Sequence, residues 1–423
     1  MERYNEYKDS GVQWLGEIPS HWGLRRTKYV WKETDSRSEF GSEQLLSVSQ
    51  YDGVRKAQLD SRSESLKGYK IVKQDELVIN IMLAWLGGLG VSKHEGIVSP
   101  AYCVYKLQDA QNPRFLHYLY RTPMYLAEFA RHSTGIVPSR WRMYTDDFGE
   151  VLTLLPPIEE QDAMVAYLDT ATAKIDEAIA QQQKMIDLLN ERKQIIINNA
   201  VTKGLNPDAP MKDSGVEWIG KICKNWRMYR LKHLLKTNLM YGANESAESE
   251  ETSYPRYIRI TDIDENGKLK PDTFRSLEPL KAEPYLLTRG DILFARSGAT
   301  AGKTYLFDED IKACFAGYLI KAQVSNKLLS RYLMYYTRSG IYDQWKNSIF
   351  IQATIQNIGA DKYANLRIPL PTIEEQKTIV SYLDTETMKI DKVLDTHKRQ
   401  ISLLQERKQI IINDVVTGKV KVS

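Results

Sequence analysis

The chain states one structural frame twice, and any fold proposed for it has to accommodate both copies. Leu155-Pro-Pro-Ile-Glu-Glu-Gln161 returns as Leu370-Pro-Thr-Ile-Glu-Glu-Gln376, and Glu191-Arg-Lys-Gln-Ile-Ile-Ile-Asn198 returns unchanged as Glu406 to Asn413. The register between these anchors never slips, since Lys174-Ile-Asp176 falls on Lys389-Ile-Asp391 without a gap. Upstream, Lys8-Asp-Ser-Gly-Val-Gln-Trp14 is echoed by Lys212-Asp-Ser-Gly-Val-Glu-Trp218. The segments between the anchors resemble each other only faintly. Two near-identical frames around two divergent inserts describe a chain that performs one task on two different targets.

A length of 423 residues exceeds what one hydrophobic core serves and implies two or more domains. Hydrophobic content of 42% and charged content of 26% place the chain among globular rather than disordered proteins. No apolar run approaches the roughly 18 residues that a membrane span needs, and Met1-Glu-Arg-Tyr-Asn-Glu-Tyr-Lys8 has no apolar segment of the kind that directs export. Cys103, Cys223 and Cys314 are too scattered for a zinc site or a disulfide framework, so a reducing cytoplasm is expected. A net charge of +4 permits a nucleic-acid partner without demanding one.

From Ile158 the chain reads as helix. Pro156 and Pro157 punctuate its start, Glu159 and Glu160 suit the positive end of the dipole, and neither proline nor glycine recurs before Gly204. A heptad fits this run, with Val165, Thr172, Ile179, Ile186 and Lys193 at a, and Leu168, Ile175, Gln182, Leu189 and Ile196 at d. The second copy supplies Val380, Thr387, Leu394, Ile401 and Lys408 at a, and Leu383, Ile390, His397, Leu404 and Ile411 at d. Such seams predict a coiled coil, and a helix from Ile158 to about Val201 would span roughly 65 Å. That length overhangs a compact domain, so antiparallel pairing of the two copies is expected. The seam is then Val165, Leu168, Ile175, Ile179, Ile186 and Leu189 against Val380, Leu383, Ile390, Leu394, Ile401 and Leu404. Packing of each helix on its own domain is the plainer alternative.

Positions off that seam also repeat. Tyr167, Lys174, Glu191, Gln194, Ile195 and Asn198 recur as Tyr382, Lys389, Glu406, Gln409, Ile410 and Asn413. A solvated face has no physical need to stay identical, and Ile195 and Ile410 are apolar where water would otherwise be. Leaving the two lysines aside, the other ten residues form the candidate docking surface for two copies of one partner. Recent duplication is the simpler explanation, but the inserts have diverged freely.

The inserts read as mixed α/β modules. Glu76 to Leu83 and Asp291 to Ala295 have strand composition, and Phe115 to Tyr120 and Leu329 to Tyr336 read as short aromatic helices. Gly204-Leu-Asn-Pro-Asp-Ala-Pro210 is a turn-rich linker. The expected class is α+β, with a first module at 1–155, a long helix at 156–203, linker and second module at 204–369, and a second long helix at 370–423. Ser133 to Tyr144 aligns with Ser348 to Gly359 at the helix offset; one copy offers Arg140, Trp141, Arg142 and Tyr144, the other Gln352, Thr354, Gln356 and Asn357. These side chains suit base edges and phosphates. With Lys93, Arg296, Ser297 and Lys303 they are the candidate DNA contacts; the alternative for any one of them is a solvated loop residue.

Catalytic signals are weak. Gly298-Ala-Thr-Ala-Gly-Lys-Thr304 is one residue short of a phosphate-binding loop, with Ser297 where its first glycine should stand. Asn112-Pro-Arg-Phe115 lacks the second proline of the amino-methyltransferase tetrad, and no glycine-rich cofactor loop accompanies it. Pro271-Asp272 with Glu278-Pro-Leu-Lys281 fails the spacing of a nuclease, and the six histidines suggest neither a triad nor a metal site. No catalytic or metal-ligating residue is nominated.

Taken together, the Lys-Asp-Ser-Gly-Val-x-Trp opening, Gly290-Asp-Ile-Leu-Phe-Ala-Arg-Ser-Gly298 and the Ile-Pro-Leu-Pro-x-Ile-Glu-Glu-Gln entry to a long helix resemble the specificity subunits of type I DNA restriction-modification enzymes. The resemblance covers essentially the whole length. It implies two target recognition domains reading the halves of a split double-stranded DNA sequence, held apart by an antiparallel helix pair that acts as a ruler. It further implies two methyltransferase subunits on the repeated regions and motor-nuclease subunits in the full complex. S-adenosylmethionine, ATP and magnesium would belong to those partners, and no cofactor to this chain. Asn80-Ile-Met-Leu-Ala-Trp85 departs from the Arg-Ser-Gly usual after that strand. A scaffold joining two protein partners without reading DNA is the rival expectation.

Overall fold

The repeated Lys-Asp-Ser-Gly segments encode a turn. In the computed structural model, which describes residues 2–51, 53–57, 65–137, 140–246, 248–264, 267–350 and 356–422, the Asp9 carboxylate accepts from the Gly11 amide at 2.9 Å and that of Asp213 from Gly215 at 2.8 Å. Gly11 and Gly215 sit at φ +72° and +70°, which a side chain would oppose. The turns close matching antiparallel hairpins, Tyr7–Asp9 with Glu17–Pro19 and Met211–Asp213 with Lys221–Cys223.

Each module is built on a four-stranded antiparallel sheet of the same order. The first runs Trp31–Thr34, Tyr102–Leu107, Leu77–Asn80, Leu89–Val91; the second runs Met240–Tyr241, Leu319–Ala322, Ile292–Ala295, Thr304–Leu306. The central strands Leu77–Asn80 and Ile292–Ala295 are buried throughout, as continuous apolar runs require. The modules part company beside these sheets. The first adds the pair Leu46–Ser49 and Gly53–Lys56, whereas the second adds Arg256–Ile258 parallel to Ala313–Phe315.

The long helices span Ile158–Lys203 and Ile373–Val416. The chain divides into two compact units, Met1–Gln183 with Arg399–Ser423, and Lys184–Lys398, so each unit owns part of both helices. Within the first unit Met164, Val165 and Leu168 share a core with Ile412, Val415 and Val416, while Asp176 faces Lys408. Within the second, Ile197, Ala200 and Val201 share a core with Ile379, Val380 and Leu383, while Lys193 faces Asp391. As one helix advances the other retreats, so the pairing in each unit is antiparallel. Of the seam positions, Val165, Leu168, Ile175, Ile186, Val380, Leu383, Ile390 and Leu394 are buried, and Ile179, Leu189, Ile401 and Leu404 are half-buried.

The repeated Glu-Glu-Gln explains how each helix is fixed to its module. The buried Gln161 accepts from the Asn112 amide at 2.9 Å and donates to the Pro156 carbonyl and Gln111. Gln376 repeats this with the Leu329 amide at 2.8 Å and the Pro371 and Lys327 carbonyls. Glu160 accepts from Tyr4 at 2.9 Å and Trp22 at 3.0 Å, with His21 Nε2 at 2.6 Å. Its counterpart Glu375 accepts from Trp226 and from the amide and hydroxyl of Thr372, closing a capping box that Pro157 denies to the first helix. Burial opposes ionisation of both glutamates, but these donors outweigh it and hold each carboxyl below its usual range.

Candidate nucleic-acid interface and helix surfaces

In the first unit, Thr134 and Arg142 exchange backbone hydrogen bonds of 2.9 Å, and the Met143 amide donates to the Ile81 carbonyl at 3.0 Å. This draws the Arg140–Tyr144 segment over the end of the Leu77–Asn80 strand, where expected strand residues Ile81 to Leu83 instead turn away. The indole of Trp141 meets that of Trp85 edge-on at 5.2 Å. Arg140 and Tyr144 are exposed, while Arg142 is half-buried and donates to the Trp141 carbonyl. Met82, Leu83, Leu86 and Ile136 are exposed apolar side chains of these same segments. Lys93 is not part of this group; it lines a cleft with Arg114, His117 and Tyr118.

In the second unit the same backbone contact recurs at the same sequence offset, the Ile358 amide donating to the Arg296 carbonyl at 2.7 Å. Ser297 bridges Asn357, and the Gly298 amide donates to the Gln356 carbonyl. Arg296, Ser297, Gln356 and Asn357 therefore lie together; Gln352 and Thr354 lie outside the described residues. The Ala301, Gly302 and Lys303 amides donate to the carbonyls of Gly298, Ala295 and Thr300, so they are not aimed at a phosphate. The Lys303 ammonium donates to the Ile263 carbonyl and lines a cleft with Arg338 and Lys346. Tyr241, whose ring lies 5.1 Å from the Arg296 guanidinium, escaped sequence reasoning because 55 positions separate the pair and no motif joins them. Trp85 was visible only as part of the unusual Asn80–Trp85 run.

On the helices, Ile195 and Ile410 are each 51% exposed, and Glu191, Gln194 and Glu406 face outward. Leu188 and Leu403, unnoticed in the sequence, stand seven residues earlier on the same faces and are also exposed. Tyr382 is exposed, whereas Tyr167 packs at the edge of the first unit's core. Gln409 lines a cleft with Lys408 and Asp176. Asn198 accepts from the Gly340 amide at 2.8 Å, and Asn413 donates to Asp414. Asp169 accepts from Arg114 and Tyr118, as Asp384 does from Arg331 and Tyr335, fastening a module helix to a long helix in each unit. Among the described residues, no cluster of His, Cys, Asp and Glu could hold a metal, and no helix is long and apolar enough to cross a membrane.

Residues 223–408 match the type I restriction modification DNA specificity domain. The specificity subunit of the type I restriction enzyme MjaVIII from Methanocaldococcus jannaschii is 25% identical over 65% of this chain and 63% of its own length. A putative MjaX specificity subunit from the same organism is 20% identical over 96% of both chains. The Escherichia coli EcoBI specificity subunit is 24% identical over 64% of this chain and 58% of its own. Residues 223–408 thus carry a domain of the type I restriction-modification specificity family.

A chain from the solved type I R-M system whose complex assembly and conformational transition have been described shares 17% identity, covers 95% of this chain and 99% of itself, and superposes with a TM-score of 0.71. The family domain match takes in most of the second module and the greater part of the second long helix, and begins 20 residues after the first helix ends. The alignments to MjaVIII and EcoBI span less than two thirds of those relatives, and that to MjaX nearly all.

Proposed function

We propose that this chain is the non-catalytic DNA-reading subunit of a type I restriction-modification complex, each unit recognising one half of a split double-stranded target. The observation that carries this is that the two units share one sheet order and one set of helix anchors but differ in side chains at the equivalent tips, where Ile81 and Arg296 accept the same backbone hydrogen bond. Lysines and arginines near phosphates supply affinity and salt dependence, and the divergent tips supply sequence. The helices form an antiparallel coiled coil whose residue count sets the unread spacer, about one DNA turn or 34 Å between half-sites. The faces bearing Leu188, Glu191, Gln194 and Ile195, and Leu403, Glu406, Gln409 and Ile410, receive one methyltransferase subunit each, and motor-nuclease subunits join the assembly. S-adenosylmethionine, ATP and magnesium are used by those partners, in the cytoplasm. The target adenine is flipped into the methyltransferase subunit.

Methylome sequencing of cells carrying the chain and its methyltransferase, against cells lacking only the chain, tests this reading. A split motif that vanishes on deletion is the expected result. Docking of the methyltransferase with no motif lost on deletion would replace it with a scaffold that does not read DNA.

A further inference from the structure

The module helices that carry Arg114 and Arg331 run in matching frames. Arg114, Tyr118 and Arg121 have the spacing of Arg331, Tyr335 and Arg338, and the Thr122 hydroxyl donates to the Leu119 carbonyl as that of Ser339 does to Tyr336. The first two members of each set serve alike, at Asp169 and Asp384. The third members do not. Arg121 donates to four backbone carbonyls, those of Gly87 at 2.8 Å, Leu89 at 2.7 Å, Gln50 at 3.0 Å and Tyr51 at 2.7 Å. It thereby holds the turn between Leu46–Ser49 and Gly53–Lys56. The second unit has Arg256–Ile258 with Ala313–Phe315 instead of that pair. Among the described residues the Arg338 guanidinium makes no hydrogen bond or ion pair. It stands exposed in a cleft with Thr300, Gly302, Lys303 and Lys346, and no described residue lining that cleft is acidic. The two lysines are already engaged, Lys303 with the Ile263 carbonyl at 3.2 Å and Lys346 with Asp343 at 2.7 Å. Asp391 and Tyr335 attract Arg338 without bonding it, and Asp391 already faces Lys193. A guanidinium matched by four oxygens in the first unit therefore has open donors in the second, with two further cations beside it. An oxygen-rich anion is the group that suits such a place.

Resting on the DNA-reading function above, we infer that Arg338, with Lys346 beside it, holds a backbone phosphate of the DNA next to the half-site of the second unit. The cleft wall at 300–304 follows directly on the tip residues Arg296, Ser297 and Gly298, and chain length alone keeps Thr300 within roughly 11 Å of Ser297. A tip that touches base edges therefore brings the cleft to the sugar–phosphate edge of the same strand within a few nucleotides. The amides of Ala301, Gly302 and Lys303 are spent on carbonyls of their own loop, so side-chain charge supplies the attraction. A phosphate contact fixes position without reading sequence. The first unit, whose Arg121 is engaged by its own backbone, has no equivalent contact, so the two halves grip the duplex unequally.

The test uses the assembled complex of this chain with its methyltransferase, a duplex carrying the split motif found by methylome sequencing, and an unrelated duplex. Arg338→Ala is expected to weaken both by the same factor, roughly fivefold at 0.15 M salt, and to lower the slope of log affinity against log salt by about 0.9. The motif in the methylome should stay as it is, and Arg338→Lys, which keeps the charge, should keep affinity and slope. Neutral methylphosphonates placed one at a time should reveal a position beside the second half-site that weakens the unmodified complex and leaves Arg338→Ala unaffected. Thermal unfolding of Arg338→Ala should match the unmodified chain, whereas Arg121→Ala, which breaks four hydrogen bonds, should not. The inference is overturned if no methylphosphonate beside that half-site affects the unmodified complex, an outcome independent of whether any variant folds. It is equally overturned if Arg338→Ala retains every methylphosphonate effect or relaxes a single base position. Fewer methyltransferase copies bound to Arg338→Ala without DNA would make the cleft a protein contact and overturn it too. Absence of any split motif for the unmodified chain would instead remove the DNA-reading function itself.

Discussion

Lys193 on the first long helix donates to Asp391 on the second at 2.5 Å, inside the second unit. Lys408 and Asp176 make the same pair in the first unit at 2.6 Å, with helix roles exchanged. Both lysines occupy positions of the apolar heptad, so each carries its charge to the edge of the seam, where a carboxylate meets it.

These pairs are partly exposed and are expected to select pairing more than to stabilise it. A double-mutant cycle on Lys193→Ala and Asp391→Ala, read by denaturant unfolding of the full chain, should give a coupling of about 0.2–1 kcal/mol. Lys193→Glu should cost more, and Lys193→Glu with Asp391→Lys should recover most of the loss.

The buried glutamines are a stronger test of the helix anchors. Gln376→Glu replaces a donor aimed at the Pro371 and Lys327 carbonyls with a second acceptor, and Gln161→Glu does so at Pro156. Each is expected to destabilise its unit by about 2–4 kcal/mol, more than the corresponding Ala variant. Thermal unfolding of both variants in parallel checks the ordering.

Glu160 and Glu375 set an acid limit. Each is held below its usual range when folded, so the stability it contributes is present above the unfolded carboxyl value and is lost as pH falls through the folded one. Glu160→Gln should flatten the acid limb of a stability profile below about pH 4.3, the ordinary glutamate value. Glu375→Gln should act in the same direction but less, because its cap on Thr372 tolerates a neutral acceptor.

His117 adds a second pH effect confined to the first unit. Burial, reinforced by Arg121, Lys93 and Arg114, pushes it down to about 3 from 6.5. The neutral ring is what the fold uses, since Nδ1 accepts from the Val91 amide at 3.1 Å. Its contribution is therefore complete above pH 6.5 and declines as pH falls toward 3. His117→Gln, which keeps an acceptor, should make stability less dependent on pH across that window.

Ile195→Asp or Ile410→Asp should leave the fold intact, because both side chains face outward, and should each reduce the methyltransferase copies bound from two to one. Native mass spectrometry of the reconstituted complex distinguishes these singles from the double variant, which should bind none.

Much of this architecture was legible because repetition marks positions under shared constraint. The two long helices, the paired frames and the strands at Leu77 and Ile292 follow from apolar period and turn residues, although the second helix, expected over 370–423, ends at Val416. The meaning of the repeated Glu-Glu-Gln was only half readable. A glutamate near a helix start suggests a dipole effect, whereas Glu160 in fact gathers Tyr4, His21 and Trp22 from more than 130 residues away. The recognition tips were the least readable part. Their geometry depends on backbone contacts such as Met143 to Ile81, and on partners such as Tyr241, that no local pattern encodes.

The division of the long helices between the units also imposes an order on synthesis. The second unit is one continuous stretch, Lys184–Lys398, whereas the first is interrupted and completed only by Arg399–Ser423. At ribosomal rates of about 5–20 residues per second, Met164, Val165 and Leu168 wait roughly twelve to fifty seconds for Ile412, Val415 and Val416. During that interval the earlier-made unit holds an uncovered apolar face, and the later-made one is completed first, at Lys398. A nascent chain of this design can complete its middle before its ends.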